Sequence, residues 1–521
     1  MRKYYLIAAF FTLSLIVYLS YAFQNCEVLC EEDFWIASPT KSEVQQHVRL
    51  WTNLNIPGKR KYKYRSALHL AARFGSPEAT QYLIDRGADP DLKSITNETP
   101  LLLAVYSDEP KNLEVLLRAG ADPNADEFGR SYPLIIAMAK GDSRKANALI
   151  AAGASTFSPP HGGSTPLIAA AQSKNSSLVK LLLDLHGERY SGIELCRALV
   201  RAGSRGLAES VKLLLDAGAN PNCGGYISTS TPLMAAISLG ELKGIEYLIE
   251  AGADVNKRNG SGLTALHLVS GGGTAERVRM LLRAGARVDV KDAKQTTPLH
   301  RVAASKAGSA EVVQILVSEG LDVNLATEGG RTPLHLASLT GNVAVAAKLI
   351  ELGASINITD ANGEMPLHLA AKNRGSEFLE LLIAKGVDVD AKGVFGRTAM
   401  HYAASSGSAS NLHPLLEAGL SINQKDQHQV TPLHFAASFG PVDVVKSFVK
   451  AGANMEARDQ NQQTPLHFAA RHGDKETVRG LVETGAKLDV RDKWGYSPHQ
   501  YSLGNRKLRY NGGDQLLRPG R

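Results

Sequence analysis

Three easily recognised catalytic motifs are absent from this sequence. It has no zinc-protease HExxH, no phosphate-binding GxxxxGK[ST] and no serine-hydrolase GxSxG. A strong charge bias is also lacking, because 58 Lys and Arg stand against 51 Asp and Glu, a net charge of +7. We therefore predict a protein that is not an enzyme and has no cofactor or metal. Its mild positive charge fits an anionic partner without requiring one.

No apolar run after residue 22 is long enough to cross a bilayer. Before that point, a basic start precedes an apolar run over residues 6–19, and small residues flank position 21. This order predicts a secretory signal over 1–22, cleaved after Ala22, and hence a periplasmic or secreted protein. The alternative is an uncleaved leader whose residues 4–22 anchor the chain in a membrane.

Cysteine is scarce, with four residues in the chain: Cys26, Cys30, Cys196 and Cys223. An even count in an exported chain permits disulfides, and the pairing closest in sequence is Cys26 with Cys30 and Cys196 with Cys223. Free thiols remain an alternative. CEVLC has no second cysteine or histidine pair at the spacing of a metal site.

A period of 33 residues runs through most of the chain. We align it on one residue per unit, the anchor, which is the Thr of TPLH or whatever aligns with it. Successive anchors are separated by 33 residues, except for single steps of 32, 34 and 35. The anchors are Ser66, Thr99, Tyr132, Thr165, Arg197, Thr231, Thr264, Thr297, Thr332, Met365, Thr398, Thr431, Thr464 and Ser497.

Each unit predicts two short helices and a loop, as the stretch from Thr431 onward illustrates. Thr431 suits a helix N-cap, and the following proline suits the first helical position. Gly440 ends this helix, and VDVVKSFVKAG then has apolar residues at helical spacing. The polar stretch ANMEARDQNQQ suits a hairpin loop. Neither helix is long enough to be stable alone, so the units must stack on one another.

TPLHxAAxxG with GADxN at this period resembles the ankyrin repeat. The resemblance covers 64–503 and implies an all-α solenoid of helix-turn-helix units with β-hairpin or loop fingers, with about 13 repeats plus caps. Residues 23–63 are expected to form a linker and a truncated N-terminal capping repeat, and 504–521 a basic C-terminal tail. The pattern is irregular around 187–206, where a bend or altered groove is expected. Among exported ankyrin-repeat chains, this kind of leader and cap favours a bacterial source.

Eight histidines occupy the fourth position of TPLH: His69, His267, His300, His335, His368, His401, His434 and His467. Adjacent repeats would separate them by about 10 Å, which is too far for shared zinc ligation. Apolar residues replace the histidine at Leu102, Ile135, Ile168 and Met234. We therefore interpret these histidines as structural. The resemblance implies that they bond backbone and threonine groups between turns.

The resemblance also implies that a partner binds the concave groove, at the finger tips and the ends of the first helices. The candidate residues there are Arg73, Phe74, Tyr106, Phe128, Lys140, Lys174, Arg205, Lys306, Lys372, Phe395, Arg471, His472 and Trp494. They predict a basic stripe with aromatic anchors, suited to an acidic protein. Lys and Arg are also common at these positions because the positions are exposed.

The sequence thus favours a non-enzymatic scaffold that binds a protein. The basic stretch KRKYKYR, 59–65, is better explained as a solvated finger than as a nucleic-acid site. The alternatives are a membrane-anchored spacer and the targeting subunit of a secreted effector or toxin. Segments 23–63 and 504–521 are too short for a catalytic domain.

Overall fold

In the computed structural model of the chain, the described residues are 29, 34–35, 39, 41–48, 54–55, 65–125, 132–157, 164–224, 230–239, 241–272 and 274–518. The expected signal, Cys26, Cys30 and Phe128 lie outside them. The chain divides into two compact units, Met1–Asp254 and Val255–Arg521. We number the helices through both units and call the helix that begins after each anchor the anchor helix.

Helix pairs make up the described part of the first unit. They follow one short leading helix, and a 3₁₀ turn, Gly187–Arg189, separates α9 from α10. The helices are α1 (Lys41–His47), α2 (Ala67–Phe74), α3 (Pro77–Asp85), α4 (Pro100–Tyr106), α5 (Pro110–Arg118), α6 (Pro133–Lys140), α7 (Ser143–Ala151), α8 (Pro166–Ala171), α9 (Ser176–His186), α10 (Gly192–Arg205), α11 (Ala208–Asp216), α12 (Pro232–Leu239) and α13 (Leu242–Glu250).

The second unit repeats the same pairing. Short 3₁₀ turns occur at Val394–Gly396 and Gly513–Leu517. The helices are α14 (Ala265–Ser270), α15 (Ala275–Arg283), α16 (Pro298–Ala303), α17 (Ala310–Ser318), α18 (Pro333–Thr340), α19 (Val343–Glu351), α20 (Pro366–Ala370), α21 (Glu377–Ala384), α22 (Ala399–Ala404), α23 (Leu412–Glu417), α24 (Pro432–Phe439), α25 (Val442–Lys450), α26 (Pro465–His472), α27 (Lys475–Glu483), α28 (Pro498–Ser502) and α29 (Arg506–Tyr510).

The fold class predicted from the sequence is confirmed, since both units are built from helix pairs and the described residues contain no strand. The fingers are turns. In the finger before Thr431, the Asp426 N–H donates to the Val430 carbonyl at 2.9 Å. The Asp426 carboxylate accepts from the His428 and Val430 N–H groups, so one buried side chain holds the turn.

The repeated histidines are structural, as predicted. In α24, Nδ1 of His434 accepts from the Thr431 N–H at 3.1 Å, so Nε2 carries the proton and donates to the Gln463 carbonyl at 3.1 Å. In seven of the eight histidines, Nε2 donates in this way to the carbonyl of the residue that precedes the next anchor. His368 differs, because its Nε2 lies 3.0 Å from the Ala391 carbonyl. Each histidine thereby joins two consecutive repeats.

Burial keeps these histidines neutral. It lowers the pKa of four of them to about 4, and backbone hydrogen bonds oppose the shift only partly. The four are His69, His300, His401 and His434. Burial also lowers the pKa of His267, His335, His368 and His467.

Asparagines form a second ladder along the loops. Asn423 donates to the Gly452 carbonyl at 3.3 Å and accepts from the Asn454 N–H at 2.7 Å. Asn55 makes the same pair of bonds to Gly87 and Asp89, at 3.2 and 2.8 Å. Asn55 therefore occupies, in the N-terminal segment, the position that Asn423 occupies in its repeat.

The irregular repeat departs from the predicted alignment. Its anchor helix α10 begins at Gly192, and Arg197 lies inside it rather than before it. Ser191 caps this helix through the Glu194 N–H at 3.3 Å, while the Glu194 carboxylate accepts from the Ser191 N–H. A disulfide joins Cys196 in α10 to Cys223 in the following loop, with Cα atoms 5.9 Å apart.

The segment expected as a basic tail contains folded structure. Helix α29 buries Leu508, and the 3₁₀ turn that follows it buries Leu517. The Asn505 side chain donates to the carbonyls of Ala470 and Gly473 at 3.2 and 2.9 Å. These contacts complete a last helix pair in the second unit.

Candidate functional site

Four of the predicted groove residues meet in the first unit, at the C-terminal ends of α2, α4 and α6. The Tyr106 ring has the Arg73 guanidinium 5.5 Å from its centroid and the Lys140 ammonium 4.8 Å from it. Arg73 also lies 5.1 Å from the Phe74 ring. We call Arg73, Phe74, Tyr106 and Lys140 the cation–aromatic cluster. Since Tyr106 is 39% exposed, the cluster lies at the surface.

The electrostatics of this cluster are set by its cations and by two nearby carboxylates. Burial lowers the pKa of Lys140, the positive charges of Lys145 and Arg73 lower it further, and Asp108 and Asp142 oppose the shift. Lys145 is itself buried, pairs with Asp142 at 3.6 Å, and donates to the Val105 carbonyl at 3.1 Å and to the Ser107 carbonyl. A negatively charged group placed at the surface here would therefore meet Arg73 and Lys140.

An aromatic column lies on the last four anchor helices of the second unit. Its members are Tyr402, Phe435, Phe468 and Tyr501, each four residues after its anchor. We call them the aromatic stripe. The repeated histidines support it, because the His434 ring contacts Phe468 edge-on at 4.9 Å between centroids. His401 and His467 make the same kind of contact with the ring of the repeat that follows each.

Cations lie over this stripe. Lys372 is 4.6 Å from the Tyr402 centroid, and Arg471 is 5.9 Å from that of Tyr501. Arg397 lies 4.6 Å from Phe435 and 5.0 Å from Phe395, which connects the finger residue Phe395 to the stripe. Lys372 also forms an ion pair with Glu364 at 3.6 Å, so its charge is partly balanced.

One ring beside the stripe is unusually exposed. Phe439, at the end of α24, is 68% exposed and stacks on His472 with centroids 6.4 Å apart. Burial and the neighbouring Arg471 lower the pKa of His472, which favours its neutral, ring-stacking form. Phe439 and His472 therefore present a flat aromatic surface next to Arg471. Exposed aromatic residues beside arginine are typical of binding hot spots.

Four predicted residues stand apart from both groups. Trp494 is 55% exposed at a finger tip and carries Lys493 at 4.4 Å from its ring. Lys174, Arg205 and Lys306 are exposed. None of these three makes an ion pair or ring contact within the described part of the chain. They are ordinary exposed side chains: Arg205 ends α10, and Lys174 and Lys306 lie three residues beyond the ends of α8 and α16.

The sequence prediction missed Phe439 and the aromatic stripe. It considered the finger tips and the last residues of each anchor helix, so the stripe positions, four residues after each anchor, lay outside its search. Phe439 ends α24 and lay within the search, but it was not selected. The signal was present, because an aromatic residue follows the motif histidine directly in HY, HF and HF at 401, 434 and 467. Arg397, one residue before its anchor, was not selected either, and in the structure it also pairs with Asp426.

A family model that describes three consecutive ankyrin repeats matches seven overlapping or adjacent stretches of the chain. They are residues 40–127, 134–224, 199–292, 233–326, 266–360, 352–426 and 414–492. The chain belongs to the ankyrin-repeat family. Its matches span both units, including the irregular repeat around α10. Ankyrin repeats generally act as scaffolds for protein–protein interaction.

The chain resembles the crystal structure of the human ASB11 ankyrin repeat domain at 28% sequence identity, over 43% of this chain and 100% of that one, with a TM-score of 0.38. No curated protein gives a significant match. Within the described ranges, no three His, Cys, Asp or Glu side chains lie close enough to hold a metal. No helix among those same residues is long and apolar enough to span a bilayer.

Proposed function

We propose that this ankyrin-repeat protein is a non-enzymatic scaffold that binds a protein partner through the concave groove of its repeats. The observation that carries this proposal is the exposed Phe439–His472 pair beside Arg471 and the aromatic stripe. Water contacts most of the Phe439 ring, and covering it would gain apolar burial. The pattern of an aromatic anchor with an adjacent arginine is the one that dominates protein interfaces.

We further propose that the partner surface is acidic. Arg73, Lys140 and Arg471 form no ion pair within 4.0 Å among the described residues. Their charges are therefore available to a partner. Lys140 in particular is destabilised as a cation by burial and then by Lys145 and Arg73, and a partner carboxylate would oppose that repulsion. Complementary charge of this kind raises the association rate and selects among partners.

Affinity capture from an extract of the source organism tests both statements. The first bait is the chain from Phe23 onward, and the second carries Arg73→Glu, Lys140→Glu and Arg471→Glu. A third bait carries Phe439→Ala. The control bait reverses three exposed lysines on second helices, Lys111→Glu, Lys180→Glu and Lys450→Glu. It changes the net charge equally and leaves the proposed groove intact.

We expect the first and control baits to retain a partner that the second and third baits lose. Retention on all four baits would contradict the groove as the binding surface. Loss from the second bait and the control alike would show that net charge alone governs binding. Loss from the third bait alone would establish an apolar partner surface and contradict the acidic one.

We also propose that the chain is exported, to the periplasm or the medium. The leader-like residues 1–22 and the Cys196–Cys223 disulfide support this, since disulfides persist in oxidising compartments. The intact mass of the chain isolated from its source decides the matter. Export with cleavage predicts a first residue at Phe23, and a mass that retains residues 1–22 would favour the anchored form.

A further inference from the structure

The groove proposal leaves one charged surface without a role, the short helix α29 and the residue group around it. Arg506, Lys507, Arg509 and Tyr510 are all exposed on this helix, and Leu508 is its buried residue. Tyr510 is 90% exposed, more than any other large apolar or aromatic side chain of the described residues. Three cations and one aromatic ring thus project together from five consecutive residues.

The helix is held firmly in place. Leu508 packs so closely on Gly513 that a β-carbon added there would lie 2.7 Å from the leucine Cδ2. Lys475 of α27 donates to the Asn511 carbonyl at 2.7 Å, which ties the end of α29 to the preceding repeat. The projecting cations are therefore presented by a fixed backbone rather than by a flexible tail.

The charges of this surface are not balanced by the protein itself. Among the described residues, Arg506, Lys507 and Arg509 form no ion pair within 4.0 Å. Nearby Arg518 lies 4.0 Å from Asp514, the acidic residue of the turn that follows. Lys475 adds a further positive charge beside the helix. A net positive surface of this size attracts a polyanion.

We propose that α29 docks the protein on an anionic lipid surface. The helix is convex and one and a half turns long, so it offers no groove to a peptide, whereas a planar array of headgroups can meet all three cations at once. Tyr510 supplies the apolar contact. Tyrosine is enriched at the boundary between headgroups and acyl chains, where its ring and hydroxyl meet different environments.

The test is sedimentation with vesicles of pure phosphatidylcholine and with vesicles that also contain phosphatidylglycerol. The chain from Phe23 onward is used, so that the apolar run over residues 6–19 cannot insert by itself. One variant carries Arg506→Glu, Lys507→Glu and Arg509→Glu, and another carries Tyr510→Ser. The control again reverses Lys111, Lys180 and Lys450, which matches the charge change elsewhere on the surface.

Binding to the anionic vesicles alone is expected. Three reversed cations should weaken it by about a hundredfold or more, because each basic residue near such a surface contributes roughly fivefold. Raising the salt from about 0.1 M to about 1 M should abolish it, since the screening length falls from about 10 Å to about 3 Å. Tyr510→Ser should weaken binding severalfold while leaving its salt dependence unchanged.

Two results would overturn the proposal. The first is no sedimentation with either vesicle, and the second is equal sedimentation of the parent chain and the α29 triple variant. If in the second case the variant also loses a captured acidic protein, the helix serves a protein partner instead. All substituted side chains are exposed, so the circular dichroism of each variant should match that of the parent.

Discussion

Gly440 and Gly452 belong to one repeat, and they are glycine for different physical reasons. Gly440 ends α24 with φ −83°, a conformation open to any residue. A β-carbon added there would lie 2.9 Å from the carbonyl oxygens of Ala404 and Ala436. Gly452 ends α25 with φ +92° and has no atom within 4 Å of such a β-carbon. One position needs space, and the other needs the left-handed backbone.

Substitution should separate the two reasons. Gly440→Ala should destabilise the fold by about 1–3 kcal/mol through overpacking, and Gly440→Asn by more. Gly452→Ala should cost about 1 kcal/mol for its conformation, and Gly452→Asn should recover part of that, because asparagine tolerates this region. Urea denaturation followed by circular dichroism measures all four variants. If Gly440→Asn proved milder than Gly440→Ala, the steric account would be wrong.

At the scale of elements, α10 shows what the period could and could not predict. The 33-residue alignment located nearly all the helix pairs, because each repeat must bury the same apolar positions against its neighbours. In the irregular repeat the alignment placed the N-cap at Arg197, whereas the local S-x-x-E signal of Ser191 and Glu194 places it six residues earlier, at Ser191. Capping chemistry outweighed the period there.

The candidate site was predictable to a smaller extent. Position within the repeat identified Arg73, Tyr106 and Lys140, because they are the cations and the ring among the last residues of their anchor helices. It could not identify Phe439 as an exposed ring, since the exposure of an end residue depends on what the next repeat places against it. In this case the next repeat offers His472, which stacks on the ring and leaves it 68% exposed.

The disulfide of α10 yields a prediction about that element. Cys196 and Cys223 are 27 residues apart, so the bond removes the freedom of a loop of that length from the unfolded chain. By the loop-entropy relation, Cys223→Ser should cost about 3 kcal/mol. Urea denaturation with and without a reductant measures the effect.

The parent chain should lose stability on reduction, and Cys223→Ser should lose much less. Cys196→Ser serves as a second variant, since it removes the same bond from the other side. Equal stability of the oxidised parent and both variants would contradict a stabilising role for the bond in the irregular repeat.

At the scale of the whole molecule, the repeated histidines make stability depend on pH. Burial lowers the pKa of His69, His300, His401 and His434 to about 4 in the folded chain, while the unfolded value is about 6.5. Between these values the unfolded state binds more protons, so the free energy of unfolding falls as the pH falls. Above pH 6.5 the contribution of these histidines is complete, and below about pH 4 it is lost.

For each of these four histidines, lowering the pH from about 7 to about 5 should therefore reduce the free energy of unfolding by on the order of 2 kcal/mol. Coupling among neighbouring histidines makes the total smaller than the sum of the four. His434→Leu tests the assignment. At pH 7 it should destabilise the chain by about 1–3 kcal/mol, because the Gln463 carbonyl loses its donor. Its loss of stability towards pH 5 should be smaller than that of the parent, since leucine takes up no proton.

His413→Gln is the matched control, because the His413 side chain is 79% exposed and lies outside the motif, where it contacts the exposed Glu417 at 3.2 Å, a surface pair of little weight. It should alter the pH dependence much less than His434→Leu does. Urea denaturation midpoints at several pH values distinguish the three chains. Parallel curves for the parent and His434→Leu would mean that the motif histidine is not held neutral. A shallower curve for His434→Leu alone would show that a hydrogen-bonded core position, repeated through the chain, makes the stack sensitive to acid.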